Sequence, residues 1–194
     1  MVARHQRDAD DLAASWGADP GVEIIRADSS IDVPEGARIH VCALGPVQSG
    51  DRVEDPTVVE RELQALGDLV TSGSSVVLVS SVLALAPTRE RAHYAGWKNL
   101  VEDRLGRLTT ARGARLSVLH PGRLVEPGQK FFRDFVHTPY PKMAALVEQT
   151  SNRGPHTRAV GLDARLWLLA RGARVASSAL VGSATQRDGG SEQP

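Results

Sequence analysis

The sequence predicts an α/β fold in which a parallel sheet is covered by helices on both faces, giving three layers. Extended and helical patterns alternate along the chain, and its strongest strand is apolar throughout. A strand without polar alternation is typical of a parallel sheet that is buried on both faces. Because 194 residues can bury one sizeable core, we expect a single domain over residues 1–182 and a polar, disordered tail over 183–194.

The first half of the chain alternates helix and strand twice. Residues 7–17 have the composition of a polar helix, and residues 22–26 are a short β-branched run. A second strand is predicted over residues 38–44, after the turn at Gly36. Helical spacing resumes at Pro56 and predicts a helix with one apolar side. That side consists of Val59, Leu63, Leu66 and Val70.

The strongest strand and the longest helix follow one another. Residues 76–79 are a continuous apolar run that ends at Ser80 and Ser81. Apolar residues then recur at helical spacing from 90 to 111, which predicts a crossover helix. The carboxyl ends of strands are where ligands bind in open α/β sheets, so the two serines mark a candidate site.

The last third of the chain has a weaker pattern. Residues 116–119 predict another strand, which we expect to end at the turn formed by residues 120–122. Beyond this turn, helices are predicted over residues 139–150 and 163–171.

Composition argues against several classes of protein. Lys plus Arg equals Asp plus Glu at 23 each, so no basic surplus favours nucleic acid or an anionic membrane. The single cysteine, Cys42, lies in an apolar run and is interpreted as a buried thiol. No secretory signal or membrane span is found in the sequence, so we expect a cytoplasmic protein.

Tyr94 and Lys98 are one helical turn apart, which places a phenol and an ammonium side by side on one helix face. A nearby positive charge favours phenolate and lowers the pKa of a phenol from its usual value of about 10. Such a phenol can act as a general acid and base. The connection after the preceding strand could bring the Ser81 hydroxyl beside it to hold a substrate carbonyl.

The stretch VVLVSSVLALAPTRERAHYAGWK resembles the strand, serine and Tyr-x-x-x-Lys arrangement of the short-chain dehydrogenase/reductase superfamily. Ser81 lies 13 residues before Tyr94, as in that family. The segment RLSVLHPGRLV is similar to the next strand and its Pro-Gly turn. The helix segment KNLVEDRL resembles the extended or atypical branches, which act on nucleotide sugars and related alcohols.

This resemblance implies a Rossmann-like domain that uses NAD or NADP. It assigns catalysis to Ser81, Tyr94 and Lys98, with Lys98 also binding the nicotinamide ribose. Pro121 and Gly122 would form the turn beside the nicotinamide. If the adenosine half of the site is present, Asp28 would contact the adenine portion and Arg4 the 2′-phosphate of NADP. Solvation alone is the commoner role for such surface residues.

The glycine-rich turn that holds the cofactor pyrophosphate in this family has no counterpart in the sequence. Residues 1–30 instead resemble the end of the second strand, its helix and the third strand. In the strand order 3-2-1-4-5-6 the first strand is central, so its loss would open the sheet. We therefore expect an N-terminally truncated domain, or a partner or rearranged strand that fills the gap, and weak or no NAD(P) binding.

Two functions remain open. The first is an NAD(P)-dependent oxidoreductase, or an epimerase using transient oxidation, acting on a small alcohol or carbonyl substrate. The alternative is a catalytically silent protein that pairs with an intact relative, as a homo- or hetero-oligomer. No metal is expected, because the histidines lack ligand spacing and fit polar surface or turn positions better. The segment with Phe131, Phe132, Arg133 and Phe135 could line a substrate pocket or pack in the core.

Overall fold

The computed structural model describes residues 2–3, 35–44, 56–125 and 136–185. Seven strands and five helices lie within these ranges. The strands are β1 (Val2–Ala3), β2 (Arg38–Ala43), β3 (Ser75–Val79), β4 (Arg115–Pro121), β5 (Leu124–Val125), β6 (Thr138–Pro139) and β7 (Thr157–Val160). The helices are α1 (Pro56–Leu69), α2 (Val82–Leu85), α3 (Ala92–Ala111), α4 (Tyr140–Ser151) and α5 (Leu162–Thr185), with a 3₁₀ turn over Arg89–Arg91 before α3.

The main sheet is parallel throughout and has the order β1-β2-β3-β4-β7. β5 and β6 form a separate parallel pair. Alternate residues of β3 belong to two different hydrophobic clusters, so this strand is buried on both faces. The cluster on one face includes residues of α1 and α3, and the other includes Met143 and Val147 of α4. The predicted α/β class with helices on both faces is confirmed.

β1 occupies the position that the sequence left in question. Val2 pairs with Val41 and Ala3 with Ala43, so β1 lies directly beside β2. If β2 is the counterpart of that family's fourth strand, β1 lies where the first strand lies in the order 3-2-1-4-5-6. A short N-terminal strand therefore pairs with β2 here, at the place that the expected loss of the first strand would have left open. The helix predicted over residues 7–17 and the strand over 22–26 lie outside the described residues.

β4 is longer than predicted, because it continues through His120 and Pro121. The expectation that a turn begins at residue 120 is therefore wrong. The N–H groups of Val118 and Gly122 donate to the carbonyl oxygens of His156 and Val160, on the side of β7. Because successive N–H groups of a strand point to opposite sides, the nitrogen of Pro121 faces β3. β3 has already ended at Val79, so the missing N–H of Pro121 leaves no ladder hydrogen bond unmade.

Beyond β4, the predicted helices are confirmed as α4 and α5, but α5 runs to Thr185, past the domain boundary predicted at residue 182. Residues 186–194 of the expected tail lie outside the described part of the chain. The short strands β5, β6 and β7 and the four-residue helix α2 carry too few residues to produce a period and were not predicted. None of the helices described is both long enough and apolar enough to cross a membrane.

Candidate active site

Tyr94 and Lys98 lie near the start of α3, with their side chains turned into the protein. They are 6% and 5% exposed, respectively. The Lys98 ammonium lies over the Tyr94 ring, 5.6 Å from its centroid, which is within the range of a cation–π interaction. Lys98 Nζ also donates a hydrogen bond to the carbonyl oxygen of Leu44, at 3.1 Å. Burying an ammonium group costs free energy unless it has such partners. These two contacts therefore hold the Lys98 charge at the end of β2.

The position of this pair follows from how α3 packs. Val101 and Leu105 are almost completely buried against the sheet and hold the middle of the helix in the core. Tyr94 and Lys98 lie closer to the amino end of α3, and the contact of Lys98 with Leu44 places them at the carboxyl edge of the strands. This is the edge at which open α/β sheets bind ligands.

Ser81 follows β3 and caps the short helix α2. Its Oγ accepts a hydrogen bond from the backbone N–H of Leu83 at 3.3 Å, and Ser81 itself is 9% exposed. α2 packs against α3, so the serine and the Tyr94–Lys98 pair come from adjoining elements. Because Ser81 Oγ is the acceptor in that bond, its own O–H can still donate a hydrogen bond to another group. Joint action of Ser81 with Tyr94 stays a prediction.

Pro121 and Gly122 mark the end of β4, and the structure gives the glycine a role of its own. A Cβ at Gly122 would overlap the carboxylate of Asp163, so glycine fits here without moving that side chain. The Gly122 N–H donates to the carbonyl oxygen of Val160 at 3.3 Å. Contact of this turn with a nicotinamide stays a prediction.

Several predicted positions fall outside the described residues. These are Arg4 and Asp28 of the expected adenosine half, and the segment with Phe131, Phe132, Arg133 and Phe135. Cys42 lies in β2, where only its backbone is described.

Sequence reasoning missed a polar network beside this site. Glu102 Oε1 accepts hydrogen bonds from Ser80 Oγ and from His120 Nε2, the latter at 3.0 Å. His120 was expected at the surface or in a turn, but its side chain is fully buried at the end of β4. A signal was available, because Glu102 follows Lys98 by one helical turn and Ser80 ends an otherwise apolar strand.

A second carboxylate lies on the other side of the Pro-Gly turn. Asp163 Oδ2 accepts hydrogen bonds from His137 Nδ1 and from the backbone N–H of Arg123, both at 2.8 Å. Its Oδ1 accepts from the backbone N–H of Ala164, at 2.8 Å. This carboxylate therefore ties β5 and β6 to the start of α5. Among the residues that the structure describes, no group of three or more His, Cys, Asp or Glu side chains could hold a metal ion.

No protein-family model matches the sequence, and no curated protein matches it either. Solved structures do match. A short-chain dehydrogenase/reductase from Brucella melitensis, described as a glucose/ribitol dehydrogenase, has a TM-score of 0.52 at 16% identity, covering 84% of this chain and 83% of its own. An oxidoreductase of the short chain dehydrogenase/reductase family from Burkholderia thailandensis also has a TM-score of 0.52, at 12% identity, over 93% and 85% of the two chains.

A third match is the MalC reductase/Diels-Alderase of Malbranchea aurantiaca, with a TM-score of 0.51 at 13% identity and 85% coverage of both chains. This chain therefore has the fold of the short-chain dehydrogenases/reductases, as the motif predicted. At such low identity the likeness establishes the fold, and function has to be argued from the site.

Proposed function

We propose that the chain is built for oxidoreductase chemistry on a small alcohol or carbonyl substrate, with NAD or NADP as the hydride carrier. The observation that supports this most is the buried Tyr94–Lys98 pair at the carboxyl edge of the sheet. If Lys98 were only a solvated surface residue and Tyr94 only a core residue, the ammonium would have no need to be buried beside the phenol ring. An epimerase would use the same groups twice at a single carbon, first to oxidise it and then to reduce it.

The chain's own residues divide the acid–base work. Tyr94 gives its phenolic proton to the substrate oxygen during reduction and takes it back during oxidation. The Lys98 ammonium stabilises the phenolate that remains after donation. Ser81, through its hydroxyl proton, donates a hydrogen bond to the substrate carbonyl and orients it.

The described residues fit the nicotinamide half of a dinucleotide. Lys98 brings a buried cation to the edge of the sheet, and Pro121 ends β4 without a competing N–H. A bound nicotinamide supplies or accepts the hydride. Arg4 and Asp28 remain proposals for the adenosine half.

The test compares the only two tyrosines in the chain. With NAD(P)H at millimolar concentration and a panel of carbonyl compounds, Tyr94→Phe should reduce turnover by about 10² or more without changing substrate affinity. Tyr140→Phe is the matched control and should retain turnover. Equal turnover in the two variants would remove Tyr94 from the chemistry.

A second candidate is a catalytically silent relative that pairs with an intact protein of the same fold. The position of β1 favours it, because the strand beside β2 is followed in sequence by Arg4, His5 and Gln6, and no glycine occurs before Gly17. Backbone amides at a glycine-rich turn and helix start are what binds pyrophosphate in such folds. Lys98 offers one charge in place of several fixed donors.

Calorimetric titration separates the two candidates. We expect residues 1–194 to bind NAD(P) more weakly than micromolar, with whatever binding occurs depending on Lys98. Micromolar affinity would contradict the argument from the missing glycines. Absence of both binding and turnover at millimolar cofactor would favour the silent candidate over the enzyme.

A further inference from the structure

A carboxylate on α3 lies where the parts of the proposed site meet. Glu102 follows Lys98 by one helical turn, on the same stripe of the helix as Tyr94. It accepts hydrogen bonds from two side chains of other elements, Ser80 after β3 and His120 near the end of β4. Its own side chain is 20% exposed, so these bonds form in a largely water-excluded place.

Each of these two donors is the direct neighbour of a proposed site residue. Ser80, which is 7% exposed, precedes Ser81. His120, which is fully buried, precedes Pro121. Through them, Glu102 joins the ends of β3 and β4 to the helix that carries the tyrosine and the lysine.

The hydrogen bonds of His120 make the network depend on one acceptor. Its Nε2 bonds the Glu102 carboxylate, whereas its Nδ1 is buried and has no hydrogen-bond partner among the described residues. A proton on Nε2, donated to the carboxylate, fits the bond to Glu102. Ser80 shares the same oxygen, so loss of this acceptor would leave two buried donors without a partner.

We infer that Glu102 is the positioning residue of this site: through Ser80 and His120 it holds α3 in place against the ends of β3 and β4. The inference rests on the proposed function, because the serine, the tyrosine–lysine pair and the Pro-Gly turn have a joint task only in that chemistry. Glu102 thereby sets where α3 places Tyr94 and Lys98 relative to the strand ends, including the Leu44 carbonyl that holds the Lys98 ammonium.

The ionisation of Tyr94 measures this geometry without requiring turnover. The chain has two tyrosines, so in a Tyr140→Phe background the alkaline change in phenol absorbance comes from Tyr94 alone. Two variants in that background separate charge from hydrogen bonding. Glu102→Gln removes the charge but keeps an acceptor oxygen, and Glu102→Ala removes both.

Both variants lose the negative charge of Glu102, and this loss favours the Tyr94 phenolate in each of them. A difference between the two Tyr94 titration midpoints therefore reports on the geometry of the site. We expect Glu102→Ala to titrate at least about half a pH unit above Glu102→Gln, because a loosened α3 draws Lys98 away from the Leu44 carbonyl that keeps its ammonium over the Tyr94 ring. Coinciding midpoints would overturn the inference. Asp103, whose carboxylate pairs with Arg107 at the surface, is the matched control: Asp103→Ala and Asp103→Asn should titrate alike.

Two further variants complete the experiment. Lys98→Met should raise the Tyr94 midpoint; if it does and the Glu102 variants coincide, this inference alone fails. If Lys98→Met changes nothing, the tyrosine–lysine coupling behind the proposed function fails, and the inference with it. Should Glu102→Ala not fold, Ser80→Ala removes one link and leaves the carboxylate in place. An unchanged Tyr94 midpoint in Ser80→Ala would then count against the inference.

Discussion

Two carboxylates flank the end of β4, and each accepts a hydrogen bond from a histidine. Glu102 binds the buried His120, and its other donor is the hydroxyl of Ser80. Asp163 binds the partly exposed His137, and its other donors are backbone amides. Because backbone donors are fixed by the fold, the Asp163 pair stabilises a turn. The Glu102 pair instead connects elements that carry the proposed catalytic residues, so similar acid–histidine pairs serve stability in one place and site geometry in the other.

The largest effect on stability is expected at Asp163. Asp163→Ala removes the acceptor for three donors, including the N–H of Ala164 in the first turn of α5. We expect the free energy of unfolding to fall by about 3–4 kcal/mol, measured by denaturant titration. In the Tyr140→Phe background, Asp163→Ala should leave the Tyr94 midpoint unchanged. A shift as large as that of Glu102→Ala would break the comparison, because both carboxylates would then act on the site.

A third histidine sharpens the comparison, because its pKa is lowered chiefly by burial. His40 lies in β2, and its pKa is lowered to about 4 by burial, with the charge of Arg38 adding to the effect. Between pH 6.5 and 4 the unfolded chain takes up a proton on His40 that the folded chain does not. Stability should therefore decrease as the pH falls through this window, by about 2–3 kcal/mol in total.

Denaturant titrations at pH 7 and pH 4.5 measure this effect. His40→Gln should lose less stability between the two pH values than the parent chain does. His93→Gln is the matched control, since His93 is exposed on α3, and it should behave as the parent. If both variants lose as much stability as the parent, the proton uptake belongs to other groups.

The parts of the fold that the sequence predicted are those with a strong period. The apolar run of β3 and the amphipathic face of α1 have enough residues to define their pattern, and both were found where expected. β5, β6 and β7 span two to four residues each, too few for any period. Their formation depends on pairing with distant strands, which a local pattern cannot contain.

The candidate site was predictable only in its local part. Tyr94 and Lys98 are one turn apart, so their position on one face of α3 follows from helix geometry. The bond between Glu102 and His120 joins residues 18 positions apart on different elements, and that between His137 and Asp163 spans 26. Such pairs depend on which strand ends lie together, and this is known only once the sheet order is known.

The smallest effect, and the most specific, is expected at Gly122. A Cβ there would overlap the Asp163 carboxylate, whereas a Cβ at Gly96 on α3 would have no neighbour within 4 Å. Gly122→Ala should therefore lower the free energy of unfolding by about 2 kcal/mol through overpacking, and Gly96→Ala should raise it by about 0.5–1 kcal/mol through helix propensity. The cause can be isolated in a double-mutant cycle, because Asp163→Ala removes the atoms that the new methyl group meets. In that background Gly122→Ala should cost much less, and an undiminished cost would mean that Gly122 is required by something other than the Asp163 carboxylate.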